Sequence, residues 1–168
     1  MKKQLNKNLI ERFSRQIVLK NIGILGQKKI LSAKVLVVGA GGLGCPVIEF
    51  LTRAGIGTLG IVDYDKVNLS NLHRQSLYEK QDIGKSKTLI IKKILNRINS
   101  NTKVQSYNLK LNNINFKKII NKYDYIVDGS DNFKTKFLLN DYCLKYKKLF
   151  SFIANAMLIF FNFNFSKI

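Results

Sequence analysis

The sequence of 168 residues predicts one α/β domain, with a mostly parallel β-sheet and helices on both of its faces. The first observation behind this prediction is a set of segments rich in apolar residues, such as AKVLVVG at 33–39 and YDYIVDGS at 123–130, which suit strands buried on both faces. The second is that segments with apolar residues at helical spacing alternate with them. Such an alternation favours right-handed crossovers between parallel strands.

The first half of the chain begins this alternation. The strand at 33–39 is followed by a helix whose apolar residues, within 47–54, recur at helical spacing, and Pro46 suits its first turn. TLGIVD at 58–63 predicts the second strand. Residues 85–99 then carry one apolar stripe, which predicts an amphipathic helix.

The second half continues the same pattern. KVQSYNL at 103–109 has a weak strand pattern, 114–121 predicts a short helix, and the strand at 123–130 precedes a further helix. Upstream of the sheet, residues 1–32 predict an N-terminal helical segment, and 33–168 predict the sheet domain. Because no repeat or linker interrupts the chain, we expect a single domain overall.

The charge of the chain is its unusual property. The sequence has 29 basic residues against 10 acidic ones, a formal net charge of +19, which would attract nucleic acid or an acidic membrane. The basic residues are mostly lysines spread along the chain, however, and frequent Asn, Ile and Phe are typical of an AT-rich genome. A nucleic-acid module needs clustered lysines and aromatic stacking platforms. The composition therefore predicts no nucleic-acid and no membrane partner, although an acidic protein would be attracted.

The two cysteines, Cys45 and Cys143, form no CxxC pair, so the sequence predicts neither a disulfide framework nor a zinc site. Both fall on apolar faces of predicted helices, where cysteine is usually a small buried hydrophobe. The basic N-terminus lacks the apolar run of a secretory signal. We expect a reducing compartment, which is the cytoplasm of a bacterium with an AT-rich genome or the plastid stroma.

A glycine-rich turn, GAGGLG at Gly39 to Gly44, lies between the first predicted strand and the first predicted helix. It satisfies the pattern G-x-G-x-x-G, in which glycines permit a tight turn and let backbone N–H groups approach a phosphate at the helix N-terminus. Asp63 closes the next strand, where a carboxylate can accept both ribose hydroxyls. These features predict a Rossmann-like nucleotide site, and NAD and ATP fit them nearly equally well.

Three further groups favour a triphosphate over NAD. Asn71 and Arg74, in SNLHRQ, are three residues apart and share a face of a helical turn, and Lys87 stands near the start of the next helix. Asp131 and Asn132, in DGSDN, follow the strand that ends in YIVD, at the ligand-binding edge of the sheet. Arg and Lys neutralise phosphate oxygens, and a carboxylate beside phosphates suits magnesium. A nicotinamide cofactor needs none of these groups.

These motifs, in this order, resemble the ubiquitin-activating superfamily. The stretches that carry the resemblance are RFSRQIVL, IGILGQKKI, VLVVGAGGLGCPV, GIGTLGIVDYDKVNLSNLHRQ, DIGKSK and VDGSDN, between about Arg12 and Ser151. The sequence looks closest to the bacterial and plastid adenylyltransferases that serve molybdopterin synthase and thiamine biosynthesis. The resemblance implies a homodimer that uses ATP and Mg²⁺ to adenylate the C-terminal glycine of a ubiquitin-like sulfur-carrier protein ending in Gly-Gly.

The resemblance also implies roles for individual residues. Arg15, Arg74, Lys87 and Asp131 would be catalytic, with Arg15 reaching the neighbouring subunit's site and Asp131 holding magnesium. The implied nucleotide-binding residues are Gly39, Gly41, Gly42, Gly44, Asp63, Ser70, Asn71, Leu72, His73, Arg74, Lys87, Asp131 and Asn132. His73 is not needed as a general base, because the carrier's carboxylate is already ionised at neutral pH.

The chain departs from this family after Ser151. Relatives continue with a strand, two CxxC pairs that bind zinc and a crossover segment, whereas this sequence reads FIANAMLIFFNFNFSKI, as a frameshift into AT-rich sequence would. We therefore expect an adenylation domain that is incomplete at its C-terminus and has no structural zinc. Two alternatives stay open, namely an inactive nucleotide-binding remnant and a natural short form completed by a second polypeptide. An NAD-dependent oxidoreductase is a more distant alternative.

Overall fold

The computed structural model describes residues 5–153, and its centre is a five-stranded sheet in which all neighbouring strands are parallel. The strands are β1 (Lys34–Val38), β2 (Thr58–Val62), β3 (Lys103–Tyr107), β4 (Tyr125–Asp128) and β5 (Leu149–Phe152). Their order across the sheet is β3-β2-β1-β4-β5. This architecture confirms the predicted α/β, Rossmann-like fold class.

Helices connect the strands and cover the sheet. Within residues 5–153 they are α1 (Lys7–Arg12), α2 (Ser14–Ile17), α3 (Gly23–Ser32), α4 (Gly44–Arg53), α5 (Lys87–Ile98), α6 (Asn113–Ile120) and α7 (Phe133–Lys145). Two short 3₁₀ turns occupy Leu69–Asn71 and Lys80–Asp82. Among the described helices, none has the length and apolar character needed to cross a membrane.

The core has two layers because successive side chains of a strand point to opposite faces. In β1, Val35 and Val37 pack into the cluster that includes buried residues of α4 and α5. Leu36 and Val38 pack instead with buried residues of α6 and α7. Each layer thus receives two crossover helices, and the continuous apolar run of β1 is explained by burial on both faces.

The N-terminal helices pack at the amino-terminal edge of the strands. Phe13 is fully buried against Gly55, whose φ of +87° and missing Cβ leave room for the aromatic ring. Gln27 donates a hydrogen bond of 3.1 Å from Nε2 to the carbonyl oxygen of Ala54, just after the end of α4. The segment therefore lies at the edge opposite the ends from which parallel strands present ligands.

The strand β5 was not predicted. Its four residues, LFSF, lead directly into the aromatic-rich C-terminal run that starts at Phe152, and pairing with β4 places them in the sheet. Most of the predicted departure from the family falls on 154–168, which lie outside the described residues.

Both cysteines are buried and free, as predicted for small hydrophobes. Burial raises the pKa of the Cys45 thiol to about 11 and that of the Cys143 thiol to about 12. Both side chains therefore stay neutral at physiological pH.

Candidate functional site

A cleft of about 410 Å³ opens at the carboxyl edge of the sheet, where the loops after β1, β2, β3 and β4 meet. Its position follows from the strand order. The chain runs from β1 outward to β2 and β3, then returns to the other side of β1 to form β4. The connections that follow β1 and β4 therefore lead to helices on opposite faces of the sheet, α4 and α7, and a crevice at such a point is the usual ligand site in an open parallel sheet.

Glycines let the loops after β1 and β4 meet in backbone contact. Gly39 has a φ of +92°, and a Cβ there would lie 2.8 Å from the backbone of Gly129. A Cβ on Gly44, the first residue of α4, would overlap the carbonyl group of Gly39. On the other loop, a Cβ on Gly129 would lie 3.1 Å from the Cα of Gly44. The first and last glycines of the motif, Gly39 and Gly44, therefore allow the turn to pack closely against α4 and the loop after β4.

The middle of the same turn is open and faces the cleft. A Cβ on Gly41 would meet no atom nearer than Nε2 of Gln75, at 3.9 Å, and one on Gly42 would lie 3.4 Å from Cγ of Arg74. Both glycines line the cleft. Because the turn leads into the N-terminus of α4, its backbone N–H groups and the helix dipole favour an anion at this place.

Asp63 joins the end of β2 to the glycine turn. Its Oδ2 accepts a hydrogen bond of 2.7 Å from the backbone N–H of Ala40, and its Oδ1 accepts one of 2.7 Å from the N–H of Asp65. The side chain is buried and lines the cleft. A carboxylate offers about four acceptor positions, so the two that remain can receive ligand hydroxyls.

The turn is also held from its other side, through the carbonyl oxygen of Ala40. The Tyr78 hydroxyl donates a hydrogen bond of 2.8 Å to this oxygen, and the Cys45 thiol donates one of 3.4 Å. Burial raises the pKa of Tyr78 above its ordinary value, so the hydroxyl remains a donor at any physiological pH. Ala40 is thus fixed at both its N–H and its carbonyl, which makes the turn rigid.

Replacing Tyr78 with phenylalanine is expected to lower the free energy of unfolding by about 1–2 kcal/mol, because a buried carbonyl loses its stronger partner. Urea unfolding of the two proteins measures this difference. Tyr64→Phe is the matched control, since Tyr64 is 55% exposed and its hydroxyl has water available. Equal stability of the Tyr78→Phe variant and the unchanged protein would show that the hydrogen bond does not hold the turn.

Two cations lie on the β2 side of the cleft. Lys87, at the start of α5, is 4% exposed, and its Nζ lies 3.1 Å from Oδ2 of Asp65, whose side chain is half exposed. The stem of Arg74 lies over Gly42, and its Nη1 donates a hydrogen bond of 3.1 Å to the carbonyl oxygen of Ser70. Both cations line the cleft, so the site carries positive charge beside the glycine turn.

The loop after β4 forms the other wall. The exposed Asp131 lines the cleft next to Asn132, whose Oδ1 caps α7 by accepting a backbone N–H of its first turn at 2.8 Å. Asp128 is fully buried, with Oδ2 at 3.2 Å from Nζ of Lys136 and Oδ1 accepting the N–H of Ser130 at 2.8 Å. Asp131 is therefore available to a ligand or metal, whereas Asp128 fixes the loop.

The cleft brings together most of the residues that the resemblance implies for nucleotide binding. Those that line it are Gly39, Gly41, Gly42, Asp63, Asn71, Arg74, Lys87, Asp131 and Asn132. Four others, Gly44, Ser70, Leu72 and His73, lie beside the lining and not on it. Asn71 and Arg74 share the face of their turn that lines the cleft, as their spacing predicts. Leu72 and His73, between them, are not on that face.

Arg15 lies far from the cleft of its own chain. It is exposed on α2, and its neighbour Gln16 approaches the carbonyl oxygen of Ala54 at 3.5 Å, beyond the C-terminal end of α4. The cleft is at the N-terminal end of α4, and a helix of 10 residues is about 15 Å long. Any contact of Arg15 with such a cleft would have to be made in another copy of the chain.

The structure adds lining residues that the sequence did not indicate. The loop after β3 contributes Leu109, Lys110 and Leu111, and the other additions include Tyr64, Gln75 and Ser130. Lys110 places its Nζ 5.5 Å from the ring centroid of Tyr64. No sequence motif marks the loop after β3. Asp65, which also lines the cleft, is indicated by its place in the DYD stretch beside Asp63.

Comparison with known sequences gives relatives that are longer than this chain. The Adenylyltransferase and sulfurtransferase MOCS3 of Anopheles gambiae is 44% identical over 145 residues, which are 86% of this chain and 33% of that protein. The Sulfur carrier protein adenylyltransferase of Thermus thermophilus is 44% identical over 135 residues, 80% of this chain and 50% of that protein. The chain thus spans about a third to a half of the length of these relatives.

Solved structures share the fold. The structure of Escherichia coli tRNA N6-threonylcarbamoyladenosine dehydratase, TcdA, in complex with ATP superposes with a TM-score of 0.83 at 25% identity, over 89% of this chain and 61% of that chain. Escherichia coli MccB with AMPCPP and MccA gives a TM-score of 0.79 at 30% identity, over 90% of this chain and 45% of that chain.

The glycine turn, the acid after β2 and the acid after β4 all lie within the part of the chain that a family model recognises. That model, described as the ThiF family, matches residues 13–158. Because the match covers most of the chain, the protein belongs to the ThiF family.

Proposed function

We propose that this chain is the ATP-binding part of an adenylyltransferase. It would transfer AMP from ATP to the C-terminal glycine carboxylate of a ubiquitin-like sulfur-carrier protein. The observation that carries the proposal is the meeting, in one cleft, of an open glycine turn, a buried carboxylate with remaining acceptor positions, two cations and an exposed acid. The curated relatives, which are named as adenylyltransferases, support the same chemistry.

Two features of the cleft, the open volume at Gly41 and the free acceptor positions of Asp63, fit a nucleotide. The volume beside Gly41, at the N-terminus of the helix, is open because glycine has no side chain. A phosphate group would need this volume. Asp63 keeps acceptor positions after its two backbone hydrogen bonds, as ribose hydroxyls require. The TcdA structure, which shares the fold, is a complex with ATP, and this supports a nucleotide as the ligand.

The reaction needs no nucleophilic side chain from the protein. A carboxylate oxygen of the carrier forms a bond with the α-phosphorus, the bond from that phosphorus to the bridging oxygen breaks, and pyrophosphate leaves with the electron pair. Catalysis then consists of alignment and stabilisation of negative charge on the phosphates. Arg74, with its planar donors, and Lys87, as a buried point charge, are placed to supply that stabilisation.

Magnesium fits the wall of the cleft that the loop after β4 forms. Mg²⁺ prefers one or two carboxylates together with phosphate oxygens and water, and Asp131 offers an exposed carboxylate on the lining. When bound there, the ion would neutralise charge on the phosphates. Asp131 would hold it, with Asn132 fixed beside it as the cap of α7.

A homodimer forms part of the proposal, because Arg15 can reach a cleft only in a second copy of the chain.

The names of the relatives support a carrier of the molybdopterin pathway, and thiamine biosynthesis is the other pathway proposed. The proposed location is the bacterial cytoplasm or the plastid stroma, for which the composition is the only support.

Magnesium-dependent exchange of pyrophosphate into ATP tests the proposal, with a panel of ubiquitin-like carriers that end in Gly-Gly. We expect exchange that requires one carrier and falls by about 10²-fold in Asp131→Ala. Asp141→Ala is the control, since Asp141 is an exposed acid on α7 that does not line the cleft. A folded protein that binds ATP and exchanges with no carrier would contradict the proposed reaction and favour an inactive remnant.

A further inference from the structure

Each of two polar side chains of the cleft has a buried oxygen atom without a hydrogen-bond partner among residues 5–153. Gln75 is 3% exposed, and its Oε1 makes no hydrogen bond to any described residue. The Oγ of Ser130 is likewise buried and without a partner among those residues. Both residues line the cleft, one from the turn after β2 and one from the loop after β4.

Such atoms lower the stability of a protein that holds no ligand. A buried polar atom without a partner loses its hydrogen bonds to water and receives nothing in return, and such atoms are few in native structures. An apolar side chain of similar shape would be more stable at either position. A ligand that forms hydrogen bonds with these two side chains explains why they are polar.

The two side chains flank the glycine turn. Nε2 of Gln75 lies 3.9 Å from the position of a Cβ on Gly41, and the backbone N of Ser130 lies 2.9 Å from that on Gly39. The backbone N–H of Ser130 is fixed by Asp128, so its hydroxyl is the part that remains free to turn. The open middle of the turn, where phosphate is proposed to bind, thus has one uncharged polar group on each side.

Gln75 also has a fixed backbone. Its N–H donates a hydrogen bond of 3.1 Å to the carbonyl oxygen of Asn71, so Asn71, Arg74 and Gln75 are carried by one turn. Rotation of the carboxamide by half a turn exchanges its oxygen and its nitrogen, two atoms that are nearly the same in shape. Either end can therefore be presented to a ligand.

We propose that Gln75 and Ser130 are two further phosphate-binding residues of the cleft. The Gln75 carboxamide turns by half a rotation, so that its NH2 group takes the present position of the unpaired Oε1. From there this NH2 group, together with the Ser130 hydroxyl, donates hydrogen bonds to phosphate oxygens of the bound nucleotide. This inference rests on the proposed function. It adds two neutral donors to the cations Arg74 and Lys87, and they fix the direction of the phosphates without adding charge.

Gln75→Met and Ser130→Ala test the inference through stability and binding together. Each variant should unfold at the same temperature as the unchanged protein or at a higher one, because a buried unpaired atom is removed. Each should bind ATP about three- to tenfold more weakly in calorimetric titrations. Binding of adenosine, which has no phosphate, should stay within about twofold of the unchanged protein.

The matched control is Gln27→Met. Gln27 is also a fully buried glutamine, and its Oε1 has no partner within the described part of the chain, but it contacts Ala54 at the opposite edge of the sheet. Its replacement should change the unfolding temperature and leave ATP affinity unaltered. Unchanged ATP affinity in Gln75→Met and Ser130→Ala overturns the inference while the proposed function stands. Absence of ATP binding by the unchanged protein overturns both.

Discussion

Replacing Lys87 with methionine is expected to lower carrier-dependent pyrophosphate exchange by about 10²–10³-fold while the protein stays folded. Lys87 lines the cleft, is 4% exposed, and holds its Nζ 3.1 Å from Asp65. A cation that is shielded from water stabilises charge on the phosphates more strongly than an exposed one. Methionine keeps the unbranched apolar stem, and the half-exposed Asp65 becomes solvated. Exchange at saturating ATP, measured beside thermal unfolding, gives the result.

Lys85→Met is the control for this substitution. Lys85 is two residues earlier, its side chain is 57% exposed, and its Nζ is 3.8 Å from Asp82, outside the cleft lining. An exposed ion pair of this kind contributes little, so exchange should stay within about twofold of the unchanged protein. Full exchange by Lys87→Met, or an equal loss in both variants, would contradict the role given to Lys87.

Replacing Gly44 with alanine is expected to destabilise the fold more than any other small substitution in the turn. The new methyl group would overlap the carbonyl of Gly39, with the carbonyl carbon only 2.8 Å away, and backbone cannot rotate aside as a side chain can. We expect a loss of about 3 kcal/mol or more in the free energy of unfolding. For a protein of this size, that loss lowers the unfolding temperature by about 6–12 °C.

Gly41→Ala is the matched control, because it places the same methyl group in the same turn. The nearest atom to its Cβ would be 3.9 Å away, so the free energy of unfolding should change by less than about 0.5 kcal/mol. ATP affinity should nevertheless fall, since the methyl group enters the proposed phosphate space. Equal thermal stability of Gly44→Ala and Gly41→Ala would mean that the turn relaxes and that the close packing is not required.

The sheet and its glycine turn could be predicted because their signals are local. The apolar run of β1, the glycines from Gly39 to Gly44 and the acid Asp63 occupy one strand–turn–helix unit, whose geometry is set by a few neighbouring residues. The edge strand β5 was missed, since its four residues merge with a longer aromatic run that gives no boundary. Only its pairing with β4 identifies it.

The composition of the cleft could be predicted in part. Asn71, Arg74, Lys87 and Asp131 came from the resemblance and from spacing, and all four line the cleft. The loop after β3, which supplies Lys110, could not be found, because its place depends on tertiary packing and no motif marks it. For the same reason no sequence pattern indicates that Tyr78 donates a hydrogen bond to Ala40, or that Oε1 of Gln75 and Oγ of Ser130 have no partner among the described residues.

The measurement that tests the central claim most directly is a pair of calorimetric titrations, one with ATP and magnesium and one with NAD. The claim is that the cleft takes a triphosphate with magnesium, in which the phosphate charge explains Arg74 and Lys87 and the magnesium ion explains Asp131. The account predicts saturable binding of ATP with magnesium, at least about tenfold tighter than NAD, since NAD lacks the third phosphate that these groups would contact. Tighter binding of NAD than of ATP would contradict it and would assign the cleft to a dinucleotide.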